Sequence, residues 1–193
     1  QQSMVIIAAA FMTIAIICGN FDVSVSAIFV TAPLFGLKVE NMTGNVLLAV
    51  VAAIAVGLIM GAINGFIVTR LKINSFIGTL ATSFMFFGAG FLISSRSLMR
   101  PESDAYRLIA RSRFLGLTSA TWIAIGVVII ATILLSRTRF GRNVFAVGGN
   151  MEAARLAGVA VNRVQTTAFL LLGAAAALAG VLNSSRSISA QPS

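Results

Sequence analysis

The sequence has 193 residues, 58% of them hydrophobic and only 10% charged, with a formal net charge of +9. Soluble domains are roughly 45–50% apolar and about 25% charged, so a water-soluble globule is excluded, and disordered chains are too poor in apolar residues to fit. A mean hydropathy of +0.98 places the chain among integral membrane proteins.

The basic excess is 14 Lys+Arg against 5 Asp+Glu. These residues fall in short gaps between apolar blocks and form no stripe interleaved with aromatics. That pattern points to membrane topology and anionic lipid contact, and no nucleic-acid partner is expected. There is no His, and Cys18 is the only cysteine, so neither an internal disulfide nor a Cys/His metal site is available. The chain starts Gln1-Gln2-Ser3 without an initiator Met or a basic leader, and is expected to be a piece of a longer or processed product.

In chain order, Met4–Cys18 is a first apolar block, short for a bilayer that needs about 20 residues. Gly19-Asn20-Phe21-Asp22 interrupts it, and Val23–Leu37 is apolar again. This is either an interrupted, membrane-embedded turn or an ordinary loop; backbone breaks at membrane depth only where protein or water satisfies it. Lys38–Asn45 reads as a polar loop. Val46–Thr69 is the clearest span, and Arg70-Leu71-Lys72 is a short basic turn. Ile73–Ser95 is a further uncharged span, followed by a long polar connection over Arg96–Thr121. Trp122–Ser136 is apolar, with Trp122 suited to an interface. Arg137–Arg163 is a second polar connection, Val164–Leu182 is the last span, and a polar tail follows. The lengths suit helices and not membrane β-strands, which alternate over about 9–11 residues. The expected fold is a single all-α domain over residues 1–193, a polytopic bundle with five to six membrane segments.

Charge barely orients it. If Arg137–Arg163 is cytoplasmic, seven basic residues lie on that side and six on the other, and the dense Arg137/Arg139/Arg142 cluster tips the choice.

Gly57, Gly61 and Gly65 recur at i, i+4 and i+8 and offer one face for close helix packing. Gly173, Ala176, Ala177 and Gly180 repeat the idea on the last span. Ser75, Thr79, Thr82, Ser83 and Phe86 also share a face. They could wall a translocation path together with Asn20, Asp22 and Ser24, or bond neighbouring helices and their own backbone carbonyls. Asp22 is the one carboxylate flanked by apolar blocks. Ionised at mid-membrane it would cost about 3 kcal/mol or more unless paired or hydrated. Near an interface it could instead cap a helix starting at Val23.

Residues 148–159 read Gly148-Gly149-Asn150-Met151-Glu152-Ala153-Ala154-Arg155-Leu156-Ala157-Gly158-Val159. Asn150 suits an N-cap, Glu152 the first turn, Arg155 the last and Gly158 the stop. The pattern predicts a helix of about two turns, roughly 10 Å long, which must dock on something to persist.

Here the sequence resembles a known family. Thr138-Arg139-Phe140-Gly141-Arg142-Asn143-Val144-Phe145-Ala146-Val147-Gly148-Gly149-Asn150, with Glu152 through Val159, is similar to the cytoplasmic coupling loop of ribose-type ABC sugar permeases. Gly19-Asn20-Phe21-Asp22-Val23-Ser24-Val25-Ser26 resembles their G-I-D-L-S-V-G stretch, with Phe21 where Ile is usual and Ser26 where Gly is common. Gly61-Ala62-Ile63-Asn64-Gly65, Ile73 through Thr82, and Ser189-Ala190-Gln191-Pro192 fit as well. The resemblance runs in order along essentially the whole chain. Family members are longer, usually with a preceding span and with further spans after the S-A-Q-P stretch, so this chain is expected to be a partial permease.

The resemblance implies a bacterial inner-membrane importer of a sugar or similar small solute. Two permease copies, alike or different, pair with two ABC ATPase subunits and a periplasmic or extracellular solute-binding protein. The segment Gly149, Asn150, Glu152, Ala153, Ala154, Arg155, Leu156, Ala157 and Gly158 would dock in the ATPase and couple ATP-driven closure to the pore. The chain itself lacks a P-loop, because its only lysines, Lys38 and Lys72, each follow Leu where that motif needs Gly. No cofactor is expected in this chain, and ATP belongs to the partner. Alternatives are a permease for an autoinducer-like solute or an amino acid, a secondary carrier, or a non-conducting assembly subunit. A membrane enzyme is disfavoured, since five scattered acids and no His supply no acid–base or metal centre.

Overall fold

A computed structural model of the chain describes residues 2–95, 97–114 and 116–187. The Ser189–Pro192 stretch and Arg96 lie outside them. Within the described residues the helices are α1 (Gln2–Ile17), α2 (Val25–Thr43), α3 (Val46–Thr69), α4 (Ser75–Ser94), α5 (Asp104–Arg111), α6 (Ser119–Arg137), α7 (Arg139–Gly149), α8 (Met151–Leu156) and α9 (Val161–Ser187). A two-residue antiparallel ladder, β1 (Arg113–Phe114) with β2 (Leu117–Thr118), closes the turn between α5 and α6. The fold is an all-α polytopic bundle. α3, α4, α6 and α9 are long and apolar enough to cross a membrane; α1 is apolar but has 16 residues. α2 has 19 residues and contains Pro33.

α9 is the axis, packed against α1, α2, α3, α5, α7 and α8. Lipid offers apolar side chains no reason to hide, so helices pair where backbones come close. α3 shows this sorting. Gly57, Gly61 and Gly65 are buried, while Leu47, Ile59 and Phe66 face outward. A Cβ at Gly57 would strike the Gly173 carbonyl, one at Gly61 the Phe169 carbonyl, and one at Gly65 would lie 2.9 Å from Thr166 Cγ2. Gly180 approaches the Phe29 carbonyl of α2 in the same way. Pro33, four residues on, has no N–H to give that carbonyl, so the break in the ladder is where α9 comes closest.

Three polar connections are more ordered than their sequence suggested. Lys38–Thr43 continues α2, which stops at Gly44 in the left-handed region (φ 66°). Nothing in Lys38-Val39-Glu40-Asn41-Met42-Thr43 breaks a helix, and buried Glu40 has work to do. Its Oε1 accepts the Ser103 N–H (2.7 Å) and its Oε2 the Glu102 N–H (3.1 Å), at the start of α5. The Arg96–Thr121 connection thus contains α5. Tyr106 Oη and Ser184 Oγ lie 2.8 Å apart, and Ser185 Oγ donates to the Tyr106 carbonyl (2.7 Å) and accepts the Ala110 N–H (3.1 Å). Burial pushes the Tyr106 phenol up to about 12.

The Arg137–Arg163 connection holds α7 and α8, separated from α6 and from each other by two capping side chains. Thr138 Oγ1 accepts the Gly141 N–H (3.1 Å), and Asn150 Oδ1 accepts the Ala153 N–H (2.9 Å). Val144 and Val147 of α7 join the core that holds Ile14 and Val161, and a Cβ at Gly148 would strike the Ile17 carbonyl at the end of α1.

Candidate functional site

The non-helical segment 18–24 between α1 and α2 is the first candidate. It is recessed, because it bonds to Asn64, five residues before the end of α3, or about 7.5 Å along the axis. Its N–H groups are met by α4: Ser75 Oγ accepts from Phe21 (3.1 Å) and Thr79 Oγ1 from Val23 (2.9 Å). Protein groups thus satisfy these N–H groups, as a break at membrane depth would require.

At its centre Asp22 is 2% exposed. Oδ1 accepts the Ser24 N–H (2.8 Å) and the Ser24 hydroxyl (2.7 Å); Oδ2 accepts Asn64 Nδ2 (3.2 Å). Asn64 Nδ2 also donates to Ser24 Oγ (2.6 Å), and Thr82 Oγ1 donates to Asn64 Oδ1 (2.7 Å). Four side chains from the turn, α3 and α4 therefore close a small buried network. No Lys or Arg pairs with Asp22 among the described residues. Fully bonded networks of this kind hold elements in one arrangement, because any break strands a polar group.

Asp22 is not the cap of a helix starting at Val23. The helix starts at Val25, and Asp22 holds the Ser24 N–H within the turn that leads into it. Thr79, Thr82 and Ser83 are buried, as are Asn20 and Ser24. The bonds of Ser75, Thr79 and Thr82 go to the turn, to Asn64 and to their own helix. Asn20 Nδ2 is buried and has no hydrogen-bond partner among the described residues.

Asn64 escaped the sequence reading as a site residue. The available signal was its position: a lone amide among the apolar and small residues of an uncharged 24-residue span. Glu40 escaped for the opposite reason, since a carboxylate in an apparent loop looks solvated.

The second candidate is α8. Asn150 caps it, as expected. At its end the Gly158 N–H bonds the Arg155 carbonyl (3.0 Å) and the Val159 N–H the Ala154 carbonyl (2.9 Å), with Gly158 at φ 84°. These paired bonds are a Schellman stop, and they satisfy carbonyls a helix of 6 residues would leave open. The helix is shorter than the two turns predicted, because Ala157 already belongs to that stop. Glu152 and Arg155 pair at 2.8 Å in the open, which stabilises little. Only Ala154 is buried. Leu156 is 88% exposed, and Met151 also reaches outward.

α8 shares one end of the bundle with Arg70, Lys72, Arg137, Arg139, Arg142, Arg155 and Arg163; α5 marks the other. Arg186, left out of the sequence count, falls at the α5 end, where pocket walls bring it near Arg111 and Arg113. Among the described residues the basic side chains are then divided almost evenly between the two ends.

These features define a class: a multi-pass helical membrane protein with a recessed, internally bonded break and a short helix held out at one end. The whole chain, residues 1–193, matches the family described as branched-chain amino acid transport system/permease component, and it belongs to that family. It is 37% identical over 184 residues to the L-arabinose transport system permease protein AraH of Escherichia coli, covering 95% of this chain and 56% of AraH. It is 32% identical over 196 residues to the ribose import permease protein RbsC of E. coli, covering 100% of this chain and 61% of RbsC. It is 30% identical over 192 residues to the fructose import permease protein FruG of Bifidobacterium longum, covering 94% of this chain and 56% of FruG. The chain thus spans a little over half the length of these relatives. No solved structure matches it.

Proposed function

We propose that the chain is the membrane-spanning part of an ATP-driven importer for a monosaccharide, and that α8 is where it takes up mechanical work from a separate ABC ATPase. The observation that carries the coupling role is the exposure of Leu156, 88%, on a helix capped at both ends by its own sequence. A helix this short does not persist alone, and an apolar side chain at its tip gives a partner something to bury. The sugar assignment is supported by the names of three relatives. A second reading, import of a branched-chain amino acid, is favoured by the description of the family itself.

In this reading α8 and its neighbours face the cytoplasm, and α5 faces the side from which a solute-binding protein delivers cargo. The protein resides in the bacterial cytoplasmic (inner) membrane as one of two permease copies. ATP is held by the ATPase alone. The Asp22–Ser24–Asn64–Thr82 network keeps the recessed turn rigid, and Asn20 Nδ2 is the free donor by which that turn could meet a passing hydroxyl. Movement of α8 reaches the turn through α7, which leans on the end of α1 at Gly148. Such a lever transmits only the difference in ATPase affinity between two states.

Uptake by membrane vesicles tests this. Vesicles carrying the full permease with its ATPase and binding protein should accumulate labelled arabinose or ribose only when ATP is inside. ATP-independent uptake would overturn the importer class, and uptake of leucine in place of pentose would move the substrate to the second reading.

A further inference from the structure

A cleft of about 560 Å³ opens between the end of α3 and the start of α9, on residues that belong neither to the buried network nor to α8. Toward the middle of the span its wall is apolar, formed by Ala62 and the outward-facing Phe66. Its mouth is polar and cationic, formed by Arg70 from one helix and Asn162, Arg163 and Thr167 from the other. Arg70 and Arg163 are exposed, and neither makes an ion pair among the described residues. Asn162 and Thr167 likewise make no side-chain hydrogen bond there, and no acidic residue lies in the first turn of α9. Arg70 directly follows the last residue of a 24-residue uncharged span, so the mouth sits where headgroups sit.

The lining therefore asks for one molecule with two chemistries: an anion held by two guanidinium groups, joined to an apolar chain running inward along Phe66. Arginine forks suit phosphate oxygens in particular. We propose that this cleft is a binding site for an anionic phospholipid, its phosphate between Arg70 and Arg163 and one acyl chain against Ala62 and Phe66. Occupancy would fasten the end of α3 to the start of α9, the helix that follows α8 by a short linker. A soluble phosphate would satisfy the mouth but leave the apolar wall bare.

Native mass spectrometry of the purified full permease, delipidated and titrated with phosphatidylglycerol or phosphatidylcholine of equal chain length, tests the site. The unmodified protein should prefer phosphatidylglycerol. Removing one charge with Arg70→Gln or Arg163→Gln should weaken that lipid about fivefold, and removing both about twenty-five-fold. Arg142→Gln, outside the cleft, should change nothing, and Arg70→Lys/Arg163→Lys should retain most of the preference, which separates lost charge from misfolding in the glutamine variants. Inorganic phosphate at equal concentration should fail to compete. The proposal is overturned by equal binding of both lipids to the unmodified protein, by full retention in the double glutamine variant, or by phosphate competing as well as lipid.

Discussion

Asn64 is the residue on which the recessed turn depends. Its amide donates to Asp22 and Ser24 and accepts from Thr82, so it joins α3 to the turn and to α4. Replacing it with Leu, similar in volume, strands the buried Asp22 Oδ2 and leaves the Thr82 hydroxyl only its bond to the Thr79 carbonyl. A stranded group costs about 1–3 kcal/mol, and more when charged. Asn64→Leu should therefore lower the thermal unfolding midpoint in detergent markedly, relative to the unmodified protein. Equal midpoints would show that the network contributes nothing.

Tyr106, the only tyrosine of the sequence, offers a cleaner optical handle. Its phenol is raised by burial from 10.0 to about 12, so the folded state favours the neutral form. Its contribution is complete below about pH 10 and is lost as pH rises through about 12. Phenolate absorbance in the folded protein should accordingly rise well above pH 10, and only after denaturation should it rise near 10; the same midpoint in both states would contradict the burial of α5 against α9.

At the scale of elements, close helix pairing is the recurrent device. A methyl group at Gly61 has nowhere to go except into the Phe169 carbonyl, so α3 and α9 must part. Gly61→Ala should destabilise by about 1–3 kcal/mol. Gly88→Ala, where nothing lies within 4 Å, should be neutral or slightly stabilising. A reversal of that order, measured by unfolding in detergent, would mean that α3 and α9 do not pack as described. Gly158 is a different case, since its left-handed φ of 84° and not its neighbours excludes a side chain. Gly158→Ala should loosen the end of α8 by about 1–2 kcal/mol, visible as faster hydrogen exchange at Val159.

The elements also show what could be read in advance. The long spans, the glycine face of α3 and the caps of α8 are written in local composition and spacing. α5 and α7 are not. They are short, carry charges, and owe their order to partners distant in sequence: Glu40 and Ser185 for α5, Ile17 for α7. The hydroxyls of α4 share one face, but their partners are backbone N–H groups of the turn and an amide on α3, and no periodicity in either segment announces that meeting.

At the scale of the whole molecule, the bundle has two dissimilar ends. At one, α5 is clamped down by buried hydrogen bonds; at the other, α7 leans on α1 and presents α8. Basic residues are too evenly shared to orient it, so orientation must be measured directly. Cys18 is buried, and an introduced cysteine would be the one available to a probe. Asp104→Cys, at a side chain 87% exposed, should react with a membrane-impermeant maleimide added to intact spheroplasts. Leu156→Cys should react only after the membrane is opened, and the reverse pattern would invert the topology.

The proposed lever role of α8 is tested most directly at Leu156. In the reconstituted importer, Leu156→Asp should abolish ATP-driven uptake and retention of the ATPase on the permease, while the permease keeps its unfolding midpoint and membrane insertion. Undiminished uptake with the ATPase still bound would contradict α8 as the contact through which ATP moves this bundle.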